Sequence, residues 1–154
     1  MVDGPESGRE NGGGVARPAK RFRLPLAALT AVFVGGTCGT LARYGVEVAL
    51  PHTDTGWPVG TFAVNVVGAF VLGLLLENLA ARGREGAAQQ QIRLLLGTGF
   101  CGAFTTYSTF ALETVTLTRH SQWPTALAYA LTTVVLGIAA ARAGIALGAA
   151  RRVR

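Results

Sequence analysis

Four long apolar runs, separated by short polar connections, dominate this chain: Leu24–Leu50, Pro58–Ala81, Leu94–Leu117 and Pro124–Leu147. Each reaches the roughly 20 mostly apolar residues that a helix needs to cross a bilayer. The pattern predicts an all-α membrane protein in which one compact unit of four transmembrane helices occupies residues 24–150. Residues 1–23 are polar and glycine-rich and end in a cluster of Arg17, Lys20, Arg21 and Arg23, which reads as a disordered basic tail. A signal peptide would also place basic residues before an apolar stretch. Here that stretch is long for such a leader, and three further spans follow it.

Composition points the same way. The chain has 154 residues, 50% hydrophobic and only 14% charged, with 21 glycines, too apolar for a soluble domain of this size. Its net charge of +6 would suit nucleic acid, but the distribution argues against that partner. Eleven of the fourteen Lys and Arg residues precede the first span, lie between the second and third, or follow the fourth; the opposite loops hold only Arg119. This bias predicts a multi-pass cell-membrane protein with both termini in the cytoplasm. Trp57 and Trp123 then fall together at the outer interface, each followed by a proline suited to a first helical turn. Cys38 and Cys101 lie inside spans without a CxxC pattern, and His52 and His120 occupy separate loops, so no metal-ligand spacing appears.

Small residues recur four apart within the spans: Gly35 and Gly39, Ala69 and Gly73, then Ala140, Gly144 and Gly148. Such patterns let helices approach closely in lipid, within a subunit or between subunits. Polar residues inside spans carry more information, because each needs a partner away from lipid. Two readings fit Arg43: snorkelling to the interface, or an inward cation that attracts anions or pins another helix. Two also fit Asn65, an interhelical hydrogen bond or a donor within a pore; Thr61, Asn65, Gly68 and Ala69 share one helical stripe. Glu113 in the third span and Tyr129 in the fourth are further polar candidates inside spans.

The least ordinary stretch is GFCGAFTTYSTF, Gly99 to Phe110. Its hydroxyls could return to carbonyls four residues back and disappear into a helix. Gly102, three residues before the hydroxyl run, instead favours a helix break, which membranes tolerate only inside protein or beside a water-filled cavity. Freed carbonyls there can hold a small cation. N–H and O–H groups can hold a small anion, with the ring edges of Phe104, Tyr107 and Phe110 facing it.

Three motifs taken together, GGTCGTLARYG (Gly35 to Gly45), GTFAVNVVGAFVLG (Gly60 to Gly73) and GTGFCGAFTTYSTFALE (Gly97 to Glu113), resemble those of the Fluc (CrcB) fluoride channels. The resemblance spans all four apolar runs. It implies an antiparallel dimer of four-helix subunits with a break in the third helix, two fluoride pores along the subunit interfaces, and a central structural sodium ion. It also implies roles for particular residues. Asn65 matches the pore asparagine, Tyr107 and Phe110 the two ring positions, Ser108 and Thr109 the hydroxyl track, and Glu113 and Tyr129 polar pore-side positions. Gly102 and Thr105 match the break whose backbone carbonyls hold sodium, and Arg43 the arginine of the first span. Tyr107 departs from the family, which usually has phenylalanine there.

The implied function is a passive fluoride channel that exports fluoride and so reduces its toxicity. A small proton-coupled multidrug exporter would need a mid-span carboxylate, for which Glu113 is the one candidate. A non-transporting scaffold subunit would explain the glycines but leave the polar residues idle. An enzyme is not expected, since Ser108 lacks a G-x-S-x-G setting and neither histidine lies in a span beside it. Subunits that insert both ways should carry little charge bias, and this chain carries a strong one. It is therefore expected to hold one orientation and to pair with a second, differently charged homologue as an antiparallel heterodimer.

Overall fold

The computed structural model describes residues 25–81, 83 and 86–151, all helices, turns and loops. The basic tail at residues 1–23 lies outside the described residues, as do Leu24, Arg82, Arg84, Arg152 and Arg154. Three helices are long and apolar enough to cross a membrane: α1 (Leu26–Ala49), α2 (Val59–Ala80) and α6 (Trp123–Ala150). Each fills one predicted run. Proline marks all three starts: Pro25 and Pro58 immediately precede α1 and α2, and Pro124 lies in the first turn of α6. No intrahelical donor is lost there, because the first N–H groups of a helix have no partner within it.

The run Leu94–Leu117 is built differently. Helix α3 (Ala87–Ile92) continues into a π-helical segment, π1 (Arg93–Cys101), and then into the short α4 (Gly102–Phe104). Thr105 (φ −80°, ψ 157°) and Thr106 (φ −145°, ψ 127°) are extended, and α5 (Tyr107–Arg119) begins beyond them. Gly102, the residue that sequence reasoning favours as the break, is itself helical (φ −63°, ψ −30°). A tight turn joins α5 to α6: Ser121 adopts φ 61°, and the N–H of Gln122 donates to the Leu117 carbonyl at 2.8 Å. This closes the C-terminus of α5 with a left-handed residue where glycine is usual.

Small residues bring the helices together. A methyl group on Gly35 would meet the carbonyl of Leu95 in π1, and one on Gly39 would meet that of Phe100. From the other side, Gly99 lies against the backbone of Val32, Gly35 and Gly36. The pair α2 and α6 is built alike, with Gly73 on the Ala141 carbonyl and Gly144 on the backbone of Phe70 and Leu74. Backbones in direct contact replace the bulky apolar core of a soluble bundle.

The outer surface is correspondingly apolar. Thr61, Glu113 and Thr133 are buried, while Phe33, Leu41, Leu112, Leu127 and Leu131 are exposed. In water such a surface would seek a partner; surrounded by acyl chains it is matched to its solvent.

Candidate functional site

The polar interior forms from three i, i+4 pairs that face one another: Thr61 and Asn65 on α2, Thr109 and Glu113 on α5, Tyr129 and Thr133 on α6. Residues four apart share a helix face, so three short polar stripes line one internal seam.

Asn65 grips one residue of the interruption from both sides. Its Nδ2 donates to the Thr106 carbonyl at 3.0 Å, and its Oδ1 accepts from the Thr106 N–H at 2.8 Å. In a continuous helix the Thr106 N–H would serve the Gly102 carbonyl, so the asparagine substitutes for a helical bond. Thr106 then acts as N-cap of α5, its Oγ1 accepting from the Thr109 N–H at 3.2 Å. The same hydroxyl donates to Thr109 Oγ1 at 3.1 Å and lies 3.2 Å from Ser108 Oγ. Gly68, one turn beyond Asn65, leaves room for the Thr105 methyl group. Thr105 turns its hydroxyl back to the Cys101 carbonyl at 3.0 Å.

Arg43 reaches the same region from α1. Its Nε donates to the Ala103 carbonyl at 3.2 Å, and its Nη1 lies 3.4 Å from Glu47 Oε1. The guanidinium thus ties α1 to the last turn before the interruption, rather than extending along its stem to an interface.

Further along the seam, Glu113 is a buried node. Oε1 accepts from Thr61 Oγ1 at 2.7 Å and Oε2 accepts from the Tyr129 hydroxyl at 2.7 Å, joining α2, α5 and α6. A carboxylate in an apolar bundle needs such donors, because an unpaired charge there is costly. His52, in the loop between α1 and α2, places Nε2 3.6 Å from Oε1 of this carboxylate.

Aromatic rings run beside the polar seam. Tyr107 and Phe110 have centroids 6.2 Å apart, Phe110 and Tyr129 5.2 Å, and Tyr129 and Trp57 5.7 Å at 82°. Phe104 is not in this series; it stacks on Phe100 at 5.6 Å and 14°. An open groove of about 390 Å³ adjoins the interruption, lined by Asn65, Thr106, Tyr107 and Phe110 with Thr133 and Gly137 of α6.

Of the residues singled out in the sequence, Asn65, Thr105, Tyr107 and Phe110 meet at this groove, and Ser108 and Thr109 are joined to it through Thr106. Glu113 and Tyr129 meet one another a turn away. Gly102 is exposed on α4. Sequence reasoning assigned no role to Thr106, Thr133 or His52, and used Thr61 only to mark a stripe. The repeated i, i+4 spacing of polar residues would have picked out Thr61 and Thr133. Nothing local in the sequence identifies His52, whose contact closes across 61 residues of chain.

These features define a helical membrane protein with a polar seam, rich in hydrogen-bond donors, threaded through its apolar bundle. The family model described as CrcB-like protein, Camphor Resistance (CrcB), matches residues 30–145, and the chain belongs to that family. It is 50% identical over 119 residues to Fluoride-specific ion channel FluC 2 of Leifsonia xyli, covering 77% of this chain and 81% of that one. Identity is 47% over 130 residues to Fluoride-specific ion channel FluC of Phenylobacterium zucineum, with 83% and 98% covered. To Fluoride-specific ion channel FluC 1 of Mycolicibacterium paratuberculosis it is 41% over 126 residues, with 82% and 92% covered.

Proposed function

We propose that this protein is a passive, fluoride-selective ion channel that lets fluoride leave the cytoplasm, and not an enzyme. The observation that carries the reading is the grip of Asn65 on Thr106, which holds a hydroxyl-bearing turn open beside a ring-lined groove on the face of an apolar bundle. The names of its relatives as fluoride-specific channels support the same conclusion. Fluoride is small, tightly hydrated and a strong acceptor, so selecting it requires donors that replace its water. The hydroxyls of Ser108 and Thr109, the second N–H of Asn65 and the ring edges of Tyr107 and Phe110 suit that replacement. Glu113 and Tyr129 extend the seam. Hydrogen fluoride crosses membranes and ionises in a near-neutral cytoplasm, and an inside-negative potential would drive the trapped anion out.

The working unit in this reading is a dimer of subunits that each cross the cell membrane four times, the third crossing interrupted at Thr105 and Thr106. Residues 24–150 form the channel domain and residues 1–23 a cytoplasmic tail. The carbonyls of Gly102 and Thr105 would hold a sodium ion, supplying a fixed central positive charge. The local backbone fits such a ligand set: the Thr106 N–H is taken by Asn65 instead of the Gly102 carbonyl, and Thr105 is extended. Two neutral oxygens suit a hard cation but leave its shell incomplete, which fits completion by a second subunit. The charge bias supports one orientation, termini inside, and an antiparallel partner of opposite bias. A proton-coupled exporter fits less well, since both oxygens of Glu113 already accept from hydroxyls of neighbouring helices.

Fluoride efflux from liposomes holding the purified chain, alone and with a co-produced homologue, tests the reading. Electrogenic efflux selective over chloride is the expected result. Absence of fluoride flux in both preparations would overturn it.

A further inference from the structure

Two small cavities lie at the end of the bundle that carries the loops before α2 and before α6. One, about 250 Å³, is lined by His52, Asp54, Thr109, Glu113 and Thr116 among others. The second, about 160 Å³, includes Glu47, His52, Thr61, Thr109 and Glu113. His52 and Glu113 stand in the walls of both, so the 3.6 Å contact between them is a shared partition at the end of the polar seam. The imidazole is about one-third exposed and the carboxylate one-tenth, which gives the first access to protons from solvent and the second access to the buried hydroxyls.

The charged groups around His52 are mostly acidic. Glu47 of α1 shares the smaller cavity and is paired with Arg43; Asp54 of the same loop lines the larger one and lies 3.9 Å from His120; Glu113 of α5 faces the imidazole directly. Behind Glu113, α6 contributes the Tyr129 hydroxyl. An anion approaching from this end therefore meets carboxylates before it meets donors.

We propose that His52 is a positioning residue of the anion path: its imidazolium pairs with Glu113 Oε1, cancels the charge that faces an arriving anion, and loosens the hold of Thr61 and Tyr129 on the carboxylate. The two hydroxyls then turn toward the anion. With a neutral imidazole, both stay committed to Glu113 and the entrance remains negative. Conduction thus rises on acidification that charges the imidazole, which is also when protonated fluoride enters most readily. The inference rests on the channel reading above.

Fluoride efflux is measured at pH 7.5 and 5.5, the same on both faces, with the leak of protein-free liposomes subtracted. The parent is expected to conduct roughly threefold faster or more at the lower pH. His52→Gln should lose the dependence and stay at the slow level; His52→Lys should lose it and stay at the fast level; His120→Gln should retain it. Equal pH profiles for the parent and His52→Gln would overturn the inference while leaving the channel reading intact. No flux from the parent at either pH would overturn both.

Discussion

Asn65 binds Thr106 through both of its backbone polar groups, accepting a hydrogen bond from its N–H at 2.8 Å and donating one to its carbonyl at 3.0 Å. A side chain of α2 therefore sets the backbone path between α4 and α5, and the interruption has a tertiary cause. Asn65→Ala should remove both bonds and let Thr106 return its N–H to the preceding turn. A stability loss of about 1–3 kcal/mol is expected, read as a lower thermal midpoint in detergent, together with loss of fluoride efflux. Asn65→Asp keeps the acceptor for the Thr106 N–H but sets a carboxylate oxygen against the Thr106 carbonyl, and should be no more stable than the alanine variant while conducting as poorly.

The bonds at Glu113 should be coupled. Hydrogen bonds between membrane helices contribute about 0.6 kcal/mol on average and up to about 1.7 kcal/mol in measured cycles. A double-mutant cycle with Glu113→Gln and Tyr129→Phe should fall toward the upper end, because a carboxylate accepts and the site is buried. A coupling indistinguishable from zero would mean that the hydroxyl and carboxylate contribute separately.

Glycines of similar sequence context should differ sharply. A methyl group at Gly144 collides with the backbone of Phe70 and Leu74, whereas one at Gly137 meets nothing within 4 Å. Gly144→Ala should cost about 1–3 kcal/mol by forcing α2 and α6 apart. Gly137→Ala should leave the melting temperature unchanged or raise it, since it removes backbone freedom from the unfolded chain.

Ser121 holds a left-handed conformation at φ 61°, which disfavours residues with a Cβ by roughly 1–2 kcal/mol. Ser121→Gly should raise the unfolding midpoint without altering efflux. A lower midpoint would show that the serine side chain itself stabilises the α5–α6 turn.

Much of the architecture was legible in the apolar runs, and the three long helices begin within two residues of the predicted starts of their runs. The interruption was less so. Sequence reasoning looked to Gly102 because glycine weakens helices, and the family resemblance added Thr105; Gly102 is helical, and the extended residues are Thr105 and Thr106. Local propensity could not reveal this, since the competing acceptor for the Thr106 N–H lies 41 residues away on another helix. Arg43 left two readings open for the same reason: its carbonyl partner at Ala103 is 60 residues distant. The Thr61–Glu113–Tyr129 node was half visible. Its carboxylate and phenol stood out as polar groups in apolar runs, while Thr61 passed for a stripe marker because threonine is common in membrane helices.

The π-helical turn width between Arg93 and Cys101 also constrains how this gene can tolerate length change. Each residue of an α-helix advances the chain by about 100° about its axis and each residue of the wider π-helix by less, so deleting one residue while the segment keeps its wide winding would swing its two ends by most of that angle relative to each other. Gly99 could then no longer face Gly35 while Thr105 faced Gly68, although both contacts exist in the intact chain. Single-residue deletions at 93–101 should therefore be far more damaging than equal deletions in the connection at residues 83–86, even where no side chain of the polar seam is altered.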